Sequence, residues 1–183
     1  SFSEKAPPAS EPPSKHLEVA IVGLAGRYPG AENVGEFWER LKTGEHGITE
    51  IPKDRWDWRD YYDETKGKEG RMYTKWGGFL TDIDKFDPLF FKISPKEAER
   101  MDPQERLFLE TAYAALEDAG YTPDSLCAGK KVGVFAGVMN GNYPTGAHYH
   151  FIPNRVSYVF DFHGPSIAVD TACSSSLTAI HLA

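Results

Sequence analysis

The sequence predicts an α/β fold, and three observations carry that prediction. Val132, Val134, Ala136 and Val138 alternate with the two-residue period of a strand. Ser166-Ile167-Ala168-Val169-Asp170 is a second β-rich run, leading directly into a cluster of small residues. Helical periods fall before and between these runs, so strands and helices alternate along the chain. The composition suits such a fold. The chain has 183 residues, 40% hydrophobic and 26% charged, enough for roughly one domain with a real core. Its 20 Lys and Arg against 27 Asp and Glu leave a net charge of −7, which argues against nucleic acid as the main partner. No apolar run approaches the roughly 18 residues of a membrane helix, and the first residues do not read as a secretory signal. Two cysteines are too few for a disulfide scaffold, so a cytoplasmic location is expected.

The elements follow in order. Residues 1–16 are rich in Pro and Ser, with Phe2 as the one large apolar side chain near the start. Such a stretch buries too little to offset the entropy of ordering and reads as an interdomain linker, although a frayed terminus has the same composition. Glu18-Val19-Ala20-Ile21-Val22-Gly23 is a β-branched run that predicts a buried strand. After a turn-rich segment, Asn33 caps a helix with Glu36 as its capping-box partner. Val34, Phe37, Trp38 and Leu41 share one face, and Gly44 ends the helix. Residues 45–93 have no clean period but hold many aromatics, Trp56, Trp58, Trp76, Phe86, Phe90 and Phe91 among them. So many rings need cover, which predicts an ordered excursion with short elements. Ser94-Pro95-Lys96-Glu97 and Asp102-Pro103-Gln104-Glu105 are two helix starts, each a cap followed by a proline and then a Glu at the third helical position. The second helix carries Leu109, Ala112, Tyr113, Leu116 and Ala119 toward a core and stops at Gly120. Ile152 to Phe162 predicts a short helix.

The segment Val169-Asp170-Thr171-Ala172-Cys173-Ser174-Ser175-Ser176-Leu177 holds the most chemical information. A strand ends, the chain turns at a cysteine, and small residues begin a helix whose Leu177 and Ile180 are expected to face inward. A cysteine at a helix N-terminus meets unpaired N–H groups and the positive end of the helix dipole, which favour thiolate. Those N–H groups suit an oxyanion on an attacked thioester carbonyl, so Cys173 is a candidate nucleophile for acyl transfer. The competing reading is a small core residue, the usual fate of a lone cysteine in apolar surroundings. Cys127, in a polar connection, has no strand leading into it and is assigned no role.

A cysteine nucleophile also calls for a base. His181 lies eight residues further on, about 12 Å along a helix, too far to reach the sulfur. His163 begins a turn. His148 and His150 flank Tyr149, but no third ligand is spaced to complete a metal site, so no metal is expected. His16 and His46 are best read as surface or packing residues. The sequence thus offers a nucleophile without a partner.

Several motifs in order carry a resemblance. Val19-Ala20-Ile21-Val22-Gly23-Leu24-Ala25-Gly26-Arg27-Tyr28-Pro29-Gly30-Ala31 and Phe37-Trp38-Glu39-Arg40-Leu41 come first. Ile51-Pro52-Lys53-Asp54-Arg55-Trp56, Phe86-Asp87-Pro88-Leu89-Phe90-Phe91 and Met101-Asp102-Pro103-Gln104-Glu105-Arg106 follow, and Asp170-Thr171-Ala172-Cys173-Ser174-Ser175-Ser176-Leu177 closes the series. Over 17–183 the chain resembles the N-terminal part of the β-ketoacyl synthase (ketosynthase) domains of type I modular polyketide synthases, ending just after the nucleophile helix begins. Gly137-Val138-Met139-Asn140-Gly141 looks most like synthases whose acyltransferase is a separate protein.

The resemblance implies a thiolase-like fold, layered α/β and homodimeric. It implies that Cys173 accepts an acyl chain from the phosphopantetheine of an acyl carrier protein, and that a malonyl-type extender is then decarboxylated and condensed onto it. No cofactor is expected to be bound by the domain itself. The carrier protein, a second copy and adjacent domains of a multidomain synthase are the expected partners. Thr171, Ala172 and Met139 are expected beside the substrate channel. The family's two histidines and supporting lysine fall beyond Ala183, so the 183 residues alone are expected to be inactive in condensation and poorly folded. Two alternatives stand beside this reading: a ketosynthase-like domain that transfers acyl chains without condensing them, and a non-catalytic module for dimerisation or carrier docking.

Overall fold

The computed structural model describes residues 19–127, 129, 131–144 and 148–183, so the expected linker over 1–16 lies outside the described residues. Its centre is a parallel pair of strands, β3 (Val134–Gly137) and β4 (Ser166–Val169), in register from Val134 opposite Ser166 to Gly137 opposite Val169. Val138 extends the pairing by donating its N–H to the Val169 carbonyl at 2.9 Å. Parallel neighbours need a crossover, and α5 (Phe151–Val159) lies within it, close to the helix expected over 152–162.

The two faces of β3 go to different layers. Val134 and Ala136 are buried toward α5 and α3 (Pro103–Asp118). Gly137, on the alternate face, lies under the first turn of α6 (Ser175–Leu182). Helix α3 packs on α5, α5 on both strands, and α6 on both strands from the other side. The result is a layered α/β arrangement, as expected.

The core gathers Leu109 of α3, Val156 of α5, Val134 of β3, and Phe91, Met101 and Phe160 from the connections. Leu109 is fully buried. Phe86 stacks on Phe91 at 5.4 Å, and Phe90 meets Tyr113 of α3 edge-on at 5.0 Å, so the aromatics of the excursion find their cover on the helices. Further out, the excursion forms the antiparallel pair β1 (Ile48–Glu50) and β2 (Trp76–Gly78).

Caps fall where the sequence puts them. In α1 (Val34–Thr43) the Asn33 side chain accepts from the Glu36 N–H, and Gly44 closes the helix at φ 73°. Glu36 returns its carboxylate to the Glu32 N–H at 2.9 Å, one residue before the expected partner. Ser94 and Asp102 cap α2 (Pro95–Ala98) and α3.

Three expectations are corrected. Residues 19–23 form no strand, and Val19 and Ile21 are 84% and 89% exposed. A strand exists only through its ladder, and this run pairs with no described strand edge. It lies along α3 instead: Leu24 donates its N–H to Asp118 Oδ2 at 2.8 Å, and Gly23 sits against the Ala115 carbonyl and Ala119. On α1, Phe37 stacks on Tyr28 at 4.1 Å, while Trp38 and Leu41 of the expected inward face are exposed. On α6, Leu177 and Ile180 are 74% and 73% exposed, and Ser175 and Ala179 face inward. The close approach of α6 to Gly137 has room only for small side chains, so the large ones turn away.

A buried ion pair locks α3 to α5. Arg155 donates through Nε to Glu105 at 2.7 Å and through Nη1 to Glu97 at 2.6 Å, with Glu105 only 4% exposed. Burial pushes the Glu105 carboxyl above its ordinary value, against the pull of Arg155. Arg155→Ala leaves that carboxylate buried and unpaired and is expected to cost about 3–5 kcal/mol in denaturant unfolding. A double variant, Arg155→Met with Glu105→Leu, is expected to recover most of the loss. Equal destabilisation by the single and double variants would contradict this account.

Candidate active site

Five residues, 170–174, link β4 to α6. Asp170 Oδ1 accepts from the Ala172 N–H at 3.0 Å, an Asx turn that bends the chain immediately after the strand. Ala172 then takes a left-handed conformation, φ 55°. For a residue with a Cβ this costs about 1–2 kcal/mol, so the surroundings must hold it there. Cys173 follows, exposed, with Ser174 at the cap position of α6.

Hydroxyl groups fasten this turn. Ser174 Oγ donates to the Thr171 carbonyl at 2.8 Å. The hydroxyls of Thr171 and Thr178 meet at 3.0 Å, and Ser175, 4% exposed, bonds both the residue before Ala172 and Ala172 itself. Gly137 completes the seat. A Cβ built there would lie 2.6 Å from the Ser176 nitrogen and 2.7 Å from the Ser175 carbonyl carbon, so any side chain would drive the start of α6 off the sheet.

The residues expected beside a channel all follow the carboxyl ends of the paired strands. Met139 lies two residues beyond Gly137, and Thr171 and Ala172 lie two and three residues beyond its partner Val169. All three are exposed. The Met139 carbonyl accepts from Tyr149 OH at 2.9 Å, which ties the end of β3 to the segment entering α5. The carboxyl end of parallel strands is where open α/β sheets gather their sites.

The other candidates lie elsewhere. Cys127 ends α4 (Pro123–Cys127), half-buried, with Sγ donating to the carbonyls of Phe160 at 2.9 Å and Asp161 at 3.3 Å. Burial, with Asp161 and Asp124 adding to it, pushes its thiol up. His163 pairs with Asp161, His148 stacks on His150 at 5.6 Å, and His46 Nδ1 accepts from Ile48 N–H. Among the described residues no group of His, Cys, Asp or Glu is arranged to hold a metal. No helix among them is long and apolar enough to cross a membrane.

The two thiols are therefore set apart by exposure and by hydrogen bonding. Iodoacetamide at neutral pH is expected to modify Cys173 at least tenfold faster than Cys127 in the folded protein, with the difference lost in denaturant. Peptide mapping of timed samples reads the two rates, and equal rates in the folded protein would contradict the assignment.

Sequence reasoning placed the cysteine and the small residues after it. It missed Ser175, Gly137 and the left-handed Ala172. The run of small residues carried a trace of Ser175 and Ala172, and nothing marked Gly137 as the seat of α6.

Comparison with known proteins agrees with this geometry. The sequence model described as "Beta-ketoacyl synthase, N-terminal domain" matches residues 17–183. Polyketide synthase PksM of Bacillus subtilis is 72% identical over 166 residues, 91% of this chain and 4% of that protein. Polyketide synthase ThaG of Burkholderia thailandensis is 52% identical over 190 residues, 96% of this chain and 3% of that protein. The chain thus spans only a few per cent of the length of these relatives. Among solved structures, the oxazolomycin ketosynthase domain from Streptomyces albus matches with a TM-score of 0.84 and 50% identity, covering 89% of this chain and 31% of that one. The ketosynthase from module 6 of the bacillaene synthase of Bacillus subtilis gives 0.81 and 47%, covering 89% and 28%. The layers described above are those of the thiolase-like α/β fold.

Proposed function

The chain belongs to the β-ketoacyl synthase family, and from that premise we propose that Cys173 is the acyl-accepting nucleophile of a polyketide ketosynthase domain. The observation that carries the reading is the exposed Cys173 on a fastened turn between a parallel strand and a helix.

In the proposed reaction the Cys173 thiolate attacks the carbonyl of an acyl thioester on the phosphopantetheine of an acyl carrier protein. The tetrahedral oxyanion is stabilised by N–H groups at the start of α6. It collapses by breaking the bond to the pantetheine sulfur, which leaves as a thiolate, and the acyl group stays on Cys173. A malonyl-type extender on a carrier protein then loses carbon dioxide, and the resulting carbanion attacks the Cys173 thioester. The β-ketoacyl chain passes to the carrier and Cys173 is released as thiolate. Thr171, Ala172 and Met139 line the approach to the sulfur. No cofactor is held by the domain in this reading; the pantetheine belongs to the carrier. A second copy of the chain, adjacent synthase domains and a separately encoded acyltransferase complete the proposed setting, in the cytoplasm.

The test is loading. Incubation of the full-length chain with an acyl pantetheine thioester is expected to add the mass of one acyl group, and peptide mapping is expected to place it on Cys173. An acyl group on any other residue, or none, would reject the reading. Loading without condensation by an intact ketosynthase domain that contains these residues, when malonyl carrier protein is added, would select the non-condensing alternative.

A further inference from the structure

We propose that Ser175 is a positioning residue for Cys173, acting by holding Ala172 in its left-handed conformation. This rests on the reading of Cys173 as the acyl acceptor. The Ser175 hydroxyl accepts from the Thr171 N–H at 3.0 Å and donates to the Ala172 carbonyl at 2.7 Å. One hydroxyl thus closes the turn from both sides of the strained residue, using its donor and an acceptor lone pair together. The Ala172 carbonyl also receives the Ser175 N–H at 3.1 Å, so the side chain and backbone of one residue converge on it. At 4% exposure Ser175 is closed to an incoming acyl chain, and its influence must pass through the turn.

The direction of the Cys173 Sγ follows from that turn. Ala172 at φ 55° swings the chain from the line of β4 into α6, and Cys173 is the next residue. On the strand side Asp170 holds the Ala172 N–H. Without the Ser175 hydroxyl, the Ala172 carbonyl keeps only one backbone N–H, and the hydroxyls of Ser174 and Thr178 hold Thr171 but not Ala172 itself, so relaxation of φ toward negative values, where alanine is more comfortable, is less opposed. Such a relaxation moves the sulfur relative to the N–H groups it depends on, and misplacement by about 1 Å costs a reacting group roughly 100-fold.

The test compares Ser175→Ala, Ser175→Thr and the double variant Ser175→Ala with Ala172→Gly in the full-length chain. Each is read by the rate of acyl loading from a pantetheine thioester and by the iodoacetamide rates of Cys173 and Cys127. Ser175→Ala is expected to slow loading about 10- to 100-fold and to slow Cys173 alkylation, with Cys127 alkylation unchanged. Ser175→Thr keeps the hydroxyl and is expected to recover most of the rate. Ala172→Gly removes the cost of the left-handed turn and is expected to recover much of it in the Ser175→Ala background. A packing role alone would not be relieved by a glycine at 172. Wild-type loading in Ser175→Ala, or a loss that neither second variant relieves, would overturn the proposal. Failure of the wild type to load rejects the acyl-acceptor reading instead; the ratio of Cys173 to Cys127 alkylation in Ser175→Ala then decides the role of Ser175 by itself.

Discussion

Cys173→Ala is expected to lower acyl loading by about 1,000-fold or more, to the level of uncatalysed thioester hydrolysis, with little change in folding. The side chain is exposed and makes no contribution to the buried clusters, so its truncation opens no cavity. The covalent step, in contrast, has no substitute. The only other thiol, Cys127, is hydrogen-bonded to two carbonyls and pushed toward its neutral form, on a different helix. Cys127→Ala is therefore the matched control and is expected to load as the wild type does. Intact-mass time courses on both variants make the comparison. Loading that persists in Cys173→Ala, or that disappears in Cys127→Ala while the protein stays folded, would reject Cys173 as the acceptor.

Gly137→Val is the second large effect, and it acts without touching a reacting atom. The Cβ positions that matter lie 2.6 and 2.7 Å from backbone atoms of Ser176 and Ser175, not from the end of a flexible side chain. Those atoms cannot yield locally, so the first turn of α6 has to lift off β3. Overpacking of this kind costs about 1–3 kcal/mol, and the same shift carries Cys173 out of place. Loading is expected to fall about 100-fold or more, and the melting temperature with it. Gly137→Ala should show the same effects in smaller measure, since even one methyl group meets the backbone. A Gly137→Val protein that melts and loads like the wild type would mean that α6 does not sit on β3 as described. Because Arg155→Ala destabilises through a different layer, it is expected to lower stability without a specific loss of Cys173 reactivity at temperatures where it is folded. That contrast separates a misplaced nucleophile from a weakened fold.

What the sequence determined by itself is local. The caps at Asn33, Ser94 and Asp102 and the stop at Gly44 were legible because each depends on residues within one turn of chain. Strands β3 and β4 were legible from their short runs of β-forming residues, and their alternation with helices gave the fold class. The series of motifs that ends at Cys173 gave the family. Tertiary structure decided the rest. Residues 19–23 have the composition of a strand and none of its bonds, because a strand is made by the edge beside it and no run of residues encodes that edge. Leu177 and Ile180 read as the inward face of α6 on hydrophobicity, yet Ser175 and Ala179 face the sheet. The reason is steric: Gly137 brings two backbones so close that only small side chains fit between them. That contact between residues nearly forty positions apart sets where Cys173 stands. The sequence singled out Cys173 as the candidate nucleophile; the packing of α6 on β3 sets its position.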